Sequence, residues 1–291
     1  MTREELYVTI SKKLNSNNFL DFMERYNMSY NEMLGLIDYG IHSQHISLLQ
    51  CCRLKELLKQ KQCSLKLTDT KIGIISDTHI GNSYMNWDYI KKAYDIFDRE
   101  GVSKVLHLGD LLDAFPQYKL SKNNEEHNQL VMDSYEQILE FADCYPKELA
   151  TYVLLGNHDE QFSSIGINLW DQISTRREDI NLLGYGGAYI DCNDFIFYLE
   201  HPVKCSTLVP PKFDYDLILR GHAHFFRYKE RINTLNITAC SDLKTTYSTF
   251  DSIADPGCAI ITFSDDAYTI DGYSFQPKST EKCVLLKKRK Y

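Results

Sequence analysis

Five short clusters in this chain combine side chains that bind metal ions: Asp77-Thr78-His79, Gly109-Asp110, Gly156-Asn157-His158-Asp159, Glu200-His201 and Gly221-His222-Ala223-His224. Imidazole nitrogen suits Zn, Fe, Mn or Ni, whereas carboxylate and amide oxygen suit harder ions such as Mn. A mixed N/O set without thiolates points to one or two first-row divalent ions rather than structural zinc or calcium. One carboxylate at the centre could bridge two ions about 3.5–4 Å apart. Such a pair can clamp a phosphate and activate a water for in-line attack. Glycines before Asp110, Asn157 and His222 suit tight turns where the backbone passes close to the site.

The clusters need elements that bring them to one place. From residue 71 onward, short β-rich runs alternate with helical stretches. Runs at 72–76, 102–108 and 152–155 are interleaved with helix-patterned segments near 87–99, 125–144 and 164–176, the signature of an α/β core. After residue 180 strands dominate, at 188–191, 195–200, 217–219, 235–238, 259–263 and 268–270. Each cluster falls at the end of a run. In open α/β sheets, ligands bind beyond the carboxyl ends of the strands. Five strand ends therefore predict one rim carrying Asp, His and Asn side chains.

The five clusters in this order resemble the signature of the calcineurin-like metallophosphoesterases. Any one piece is weak, but five at successive strand ends are specific, and the resemblance extends over 69–291. It implies an α/β sandwich of two β-sheets flanked by helices and a binuclear hydrolase. By position, Asp77, His79 and His224 would bind one metal ion, Asn157, His201 and His222 a second, and Asp110 would bridge them. His158 would protonate the leaving oxygen or stabilise the transition state, and Asp159 would orient its imidazole. Pro202 after His201 replaces a glycine common among relatives, which should alter the local turn without removing the ligand. The implied cofactors are two divalent ions, Mn²⁺ foremost, with Fe, Zn or Ni as alternatives.

The branch is narrowed by what is missing. Gly109-Asp110-Leu111-Leu112-Asp113 lacks the Asp-Arg-Gly run of protein Ser/Thr phosphatases, and Asp159 stands where those have Glu. His158 argues against the lipid A pathway branch, which usually has Arg there. The first two clusters are similar to the DNA-repair exonuclease branch, but that branch's downstream region is not expected within these 291 residues. The expectation is a generic phosphoesterase, hydrolysing a phosphodiester in preference. The alternatives are a phosphomonoesterase of a small molecule, and a DNA-binding protein with a phosphoesterase-like scaffold domain. His107 inside a strand reads as a core histidine, Asp113 as at best an outer partner of the site, and His42, His45 and His127 as surface residues. The 20 tyrosines read as packing rather than a base-stacking platform.

Residues 1–68 read as a separate helical module with helix-turn-helix spacing, similar to appendages on phosphoesterases of phages and mobile elements. Apolar residues recur at helical spacing in Phe19, Phe22, Met23 and Tyr26, and again in Met33, Leu34 and Ile37. Ser29 is a candidate N-cap and Gly40 a candidate C′ residue. Ser43 could open a helix over 43–60, and no strand is expected before residue 71. The module holds nine Lys/Arg against seven Asp/Glu, while 69–291 holds 23 against 33. A weakly basic module and an acidic domain disfavour a passive nucleic-acid clamp. Gln44, Gln50, Arg53, Lys55 and Lys59 keep nucleic-acid contact as a secondary role, behind packing or self-association with a second copy. The chain is 43% hydrophobic, enough for a core, yet no apolar stretch reaches the roughly 18 residues of a membrane span. There is no signal-peptide pattern, and the nine cysteines lack Cys-x-x-Cys spacing. A cytoplasmic chain with reduced thiols and no membrane partner is expected.

Overall fold

The structure is a computed structural model and describes residues 14, 25, 30–47, 54, 65–114, 132–202, 215–243, 255–275 and 283–289. It divides into two compact units, Met1–Ser64 and Leu65–Tyr291. In the first, helix α1 spans Tyr30–His42. Met33, Leu36 and Ile37 are fully buried on it, as an apolar stripe at three- and four-residue spacing requires. Gly40 does not end this helix. It sits in the last turn, where a Cβ would collide with the side chain of Ile46. The N–H groups of Ser43, His45 and Ile46 bind back to the carbonyls of Tyr39 and Gly40, so Ser43 and Ile46 lie in a turn rather than a helix. Ser29, Phe19, Phe22, Met23 and Tyr26 and most of the helix expected over 43–60 lie outside the described residues.

The second unit is an α/β sandwich of two sheets. One is ordered β13-β12-β11-β2-β3-β4-β5, the other β1-β6-β7-β8-β10-β9. In the first sheet β2 (Lys71–Ile75), β3 (Lys104–His107), β4 (Ala150–Leu155) and β5 (Ile180–Tyr185) run parallel. β11 (Gly257–Ser264), β12 (Ala267–Ser274) and β13 (Cys283–Arg289) extend it antiparallel. The second sheet comprises β1 (Leu65–Leu67), β6 (Gly187–Cys192), β7 (Phe195–Glu200), β8 (Leu217–Arg220), β9 (Arg227–Lys229) and β10 (Thr234–Asn236). β7 and β8 are parallel, with Glu200 opposite Arg220.

Alternation along the strands divides the core in two. Ile75, Val105, Val153 and Leu155 join Ile90, Phe97, Ile138, Phe141 and Ile173 in one cluster under α2 (Trp87–Glu100), α3 (Ser134–Cys144) and α4 (Leu169–Ser174). Between the sheets, the rings of Phe195 and Phe197 on β7 meet Tyr268 of β12 at 4.9 and 5.1 Å. Two helices depart from their patterns. α3 starts at Ser134, where Asp133 caps it with a reciprocal Glu136 bond, and residues 125–131 of the expected segment lie outside the described residues. The segment expected at 164–176 splits into a 3₁₀ turn, Asp159–Ile165, and α4, with Gly166 left-handed between them.

Four strands escape the sequence pattern. Contrary to expectation there is a strand before residue 71: β1, three residues long and, among the described residues, paired only with β6. β5 carries Gly184 opposite a register shift in β4, which breaks its alternation. β9 has just three residues, and β13 lies at the sheet edge among the described residues. Neither a three-residue run nor an edge strand needs a legible apolar alternation.

Candidate active site

The carboxyl ends of β2, β3, β4, β7 and β8 supply all five clusters. Their loops are bound to one another before any ligand is considered. The N–H groups of Asp77, His79 and Ile80 donate to the carbonyls of Gly109, Asp110 and Leu111, and Asp113 N–H returns to Ile80. Five candidate ligands hold a left-handed backbone: Asp77 (φ 54°), His79 (46°), Asp110 (51°), His222 (68°) and His224 (55°). For a residue with a Cβ that conformation costs roughly 1–2 kcal/mol. Such strain persists only where the surroundings enforce it, and it clusters at working sites.

The motif glycines have one physical reason in common. A Cβ on Gly109 would collide with the His201 ring, one on Gly156 with Asp110 and the same ring, and one on Gly221 with Ser76, Leu108 and again His201. Three glycines from three strand ends thus clear the space in which one imidazole is enclosed.

The structure brings six of the seven predicted ligands into mutual range. Asp77, His79 and His224 form one group, and Asp110, His201 and His222 another. His224 Nε2 lies 3.1 Å from Asp77 Oδ1 and 3.4 Å from His79 Nε2. Asp110 Oδ2 stands between the groups, 3.0 Å from His201 Nε2 and 3.8 Å from His79 Nε2. Asn157, the seventh, carries a buried Oδ1 with no hydrogen-bond partner, while His201 Nε2 faces the Asp110 carboxylate. An unsatisfied buried polar atom costs about 1–3 kcal/mol. A cation would satisfy the Asn157 oxygen, so the residues present fit divalent ions.

Outer partners fix the ring orientations. His201 Nδ1–H donates to the Leu108 carbonyl at 2.6 Å, and His224 Nδ1–H to the Leu243 carbonyl at 2.6 Å. His79 Nδ1–H donates to Asp113 Oδ1 at 2.9 Å. In each case Nε2 is left facing inward. Backbone donors hold the carboxylates: His222 N–H meets Asp77, and His158 N–H meets Asp110 Oδ1 at 2.9 Å.

Two assignments change. Asp159 does not orient His158: its carboxylate accepts the N–H groups of Leu111, Leu112 and Gly156, tying the β3 loop to the β4 loop. The His158 ring is held instead by Asp113, whose carbonyl accepts Nδ1–H at 2.9 Å and whose Oδ1 lies 3.2 Å away. Asp113 therefore serves both His79 and His158, with Asn82 anchoring its other oxygen. The spacing Gly-Asp-x-x-Asp was visible in the sequence, but the choice between Asp113 and Asp159 depends on which way the β4 loop turns.

His107 is the core histidine it reads as. Fully buried, it contacts Thr78 Oγ1 through Nε2 and accepts Gly109 N–H on Nδ1. His42 is exposed, His45 is half-buried beside Tyr39, and His127 lies outside the described residues. Pro202 follows His201 directly after β7.

The electrostatics follow from this packing. Burial alone would raise the Asp110 carboxyl, but His201 and His158 beside it hold it well below its ordinary range. Asp77 is lowered likewise, burial being outweighed by His224 and His201. Burial opposes charge on His158, yet Asp110 and Asp113 push its pKa up to about 10, so the ring carries a proton to give. Asp159 goes the other way: burial and then Asp110 raise it to about 7. His222 is lowered to about 4 by burial and by His201, which leaves it neutral and able to donate a lone pair.

Residues 70–205 match the family model described as calcineurin-like phosphoesterase. No curated protein matches the chain significantly. Among solved structures, the chain is similar to Vps29 from Entamoeba histolytica complexed with Zn²⁺, at 14% identity and a TM-score of 0.44, over 74% of this chain and 98% of that one. It is similar to Vacuolar Protein Sorting 29 from Cryptosporidium parvum, at 14% identity and a TM-score of 0.46, over 76% and 98%. It is also similar to YfcE, a phosphoesterase from E. coli, at 13% identity and a TM-score of 0.45, over 75% and 98%. With its motifs gathered at one rim, the segment 70–205 is similar to the calcineurin-like phosphoesterases.

Proposed function

We propose that the second unit hydrolyses a phosphodiester with the help of two divalent ions, Mn²⁺ foremost. The observation that carries this reading is the placement of Asp110, whose one carboxylate faces His79 on one side and His201 on the other. In this reading Asp77, His79 and His224 hold the first ion, Asn157, His201 and His222 the second, and Asp110 both. When bound, the ions supply Lewis acidity at the phosphoryl oxygens and a water acidic enough to attack near neutral pH. The chain does the rest. The Nδ1 partners aim the imidazoles, Asp113 positions His158, and His158 delivers a proton to the departing oxygen.

The bridge supplies the test. Asp110→Asn should abolish turnover of a generic phosphodiester and weaken both ions together, whereas Asn157→Ala should weaken only one. A purified Asp110→Asn protein with full metal content and wild-type turnover would refute the bridge. A panel of monoesters, diesters, cyclic nucleotides and single- and double-stranded DNA then separates diesterase from monoesterase. Binding of DNA without metal-dependent turnover would favour the scaffold alternative.

A further inference from the structure

Immediately behind the second group of ligands lies a pair of charges that the reaction itself does not use. Glu200 is the last residue of β7 and precedes His201; Arg220 is the last residue of β8 and precedes Gly221-His222. The two face each other in register. Arg220 Nε and Nη2 both donate to Glu200 Oε2, at 2.8 and 2.6 Å. The pair is buried, Arg220 at 2% exposure and Glu200 at 8%. By strand alternation Glu200 shares a sheet face with Tyr198, and Arg220 with Ile218, away from the aromatic core between the sheets.

Stability does not account for such a pair. Burying both charges costs several kcal/mol per ion, and well-packed apolar residues in their place are often neutral or better. What the fork adds is a fixed relation between two strand ends. Gly221 N–H also donates to the Glu200 carbonyl, and His201 N–H to Gly186. A small slip of β8 against β7 would carry His222 away from His201, in a space already so tight that Gly221 tolerates no Cβ.

We propose that the Arg220–Glu200 pair is a positioning clamp for the second ion, setting the relative placement of His201 and His222. The inference rests on the two-ion reading above. The test uses the full chain, stripped of metal and titrated with Co²⁺, following stoichiometry, affinity and the visible spectrum. Wild-type protein should take two ions. Glu200→Leu/Arg220→Met, which removes both charges at once, should keep the metal-free melting temperature and the first-ion affinity. It should lose roughly 10–100-fold in second-ion affinity, the usual effect of removing an outer partner of a metal ligand, with altered absorption bands for that ion. Arg220→Lys keeps the charge but not the fork, and should shift the same step if the double variant folds poorly. Wild-type second-ion affinity in both variants would overturn the clamp alone. A wild-type protein that binds fewer than two ions would overturn the two-ion reading and the clamp with it.

Discussion

His158 is the residue whose chemistry is most exposed to test. Held by Asp113 and carrying a proton, it should matter most when the leaving group is poor, since a good one departs without protonation. His158→Gln should retain its metal and lose ~10²–10⁴-fold on an alkyl ester but far less on a nitrophenyl ester. Asp113→Asn should reproduce part of that leaving-group dependence, because it loosens the same ring. Asp159→Ala should not. It strands three backbone N–H groups at about 1–3 kcal/mol each, so its loss should appear in the melting temperature. Equal losses on both esters for His158→Gln would reassign that ring to phosphate binding.

At the scale of elements, β3 shows how the fold keeps a titratable group silent. His107 Nδ1 accepts a backbone N–H, so protonating it would break that bond, and burial lowers its pKa to about 3. The unfolded chain, with histidine near 6.5, binds this proton first as the pH falls. Stability should therefore decline on going from pH 6.5 toward 3, and be fully present above that window. His107→Gln has no ring to protonate. Denaturant titrations across the window should show a flatter pH dependence, by up to one proton, even though the variant is less stable at pH 7. An unchanged slope would mean that another group carries the proton.

For the whole molecule, the separable part is the first unit. The compact units divide after Ser64, and β1 belongs to the second sheet. A deletion should therefore stop at residue 64; removing 65–68 as well would strip an edge strand. Deleting 1–64 should leave metal content and diester turnover largely intact while lowering the oligomeric mass or the solubility. Size-exclusion mass and metal analysis on the truncated protein check both halves of that expectation. Tight, salt-sensitive binding of duplex DNA lost on the same deletion would favour nucleic-acid contact instead. Among the described residues no helix is long and apolar enough to cross a membrane.

The site was legible in the sequence because each ligand cluster sits at the end of a short apolar run, and parallel strands deliver their ends to one rim. The clusters that hold Asp77, His79, Asp110, Asn157, His201, His222 and His224 stood out by residue type, order and strand ends, and the resemblance to the calcineurin-like phosphoesterases then marked these seven within them. The sequence also separated a helical segment from an α/β one, through the change of apolar period near residue 70. What it could not carry is anything decided by direction in space. Asp113 and Asp159 are both acidic residues close behind a motif, and only the turn of the β4 loop assigns one to the His158 ring and the other to three backbone amides. The glycines looked like turn formers, but it is the crowding around His201 that excludes a Cβ from them. β1, β9 and β13 stayed hidden because short or edge strands owe their pairing to a neighbour far away in the chain. The Arg220–Glu200 pair joins residues twenty apart, and it exists only because β7 and β8 lie side by side in one register.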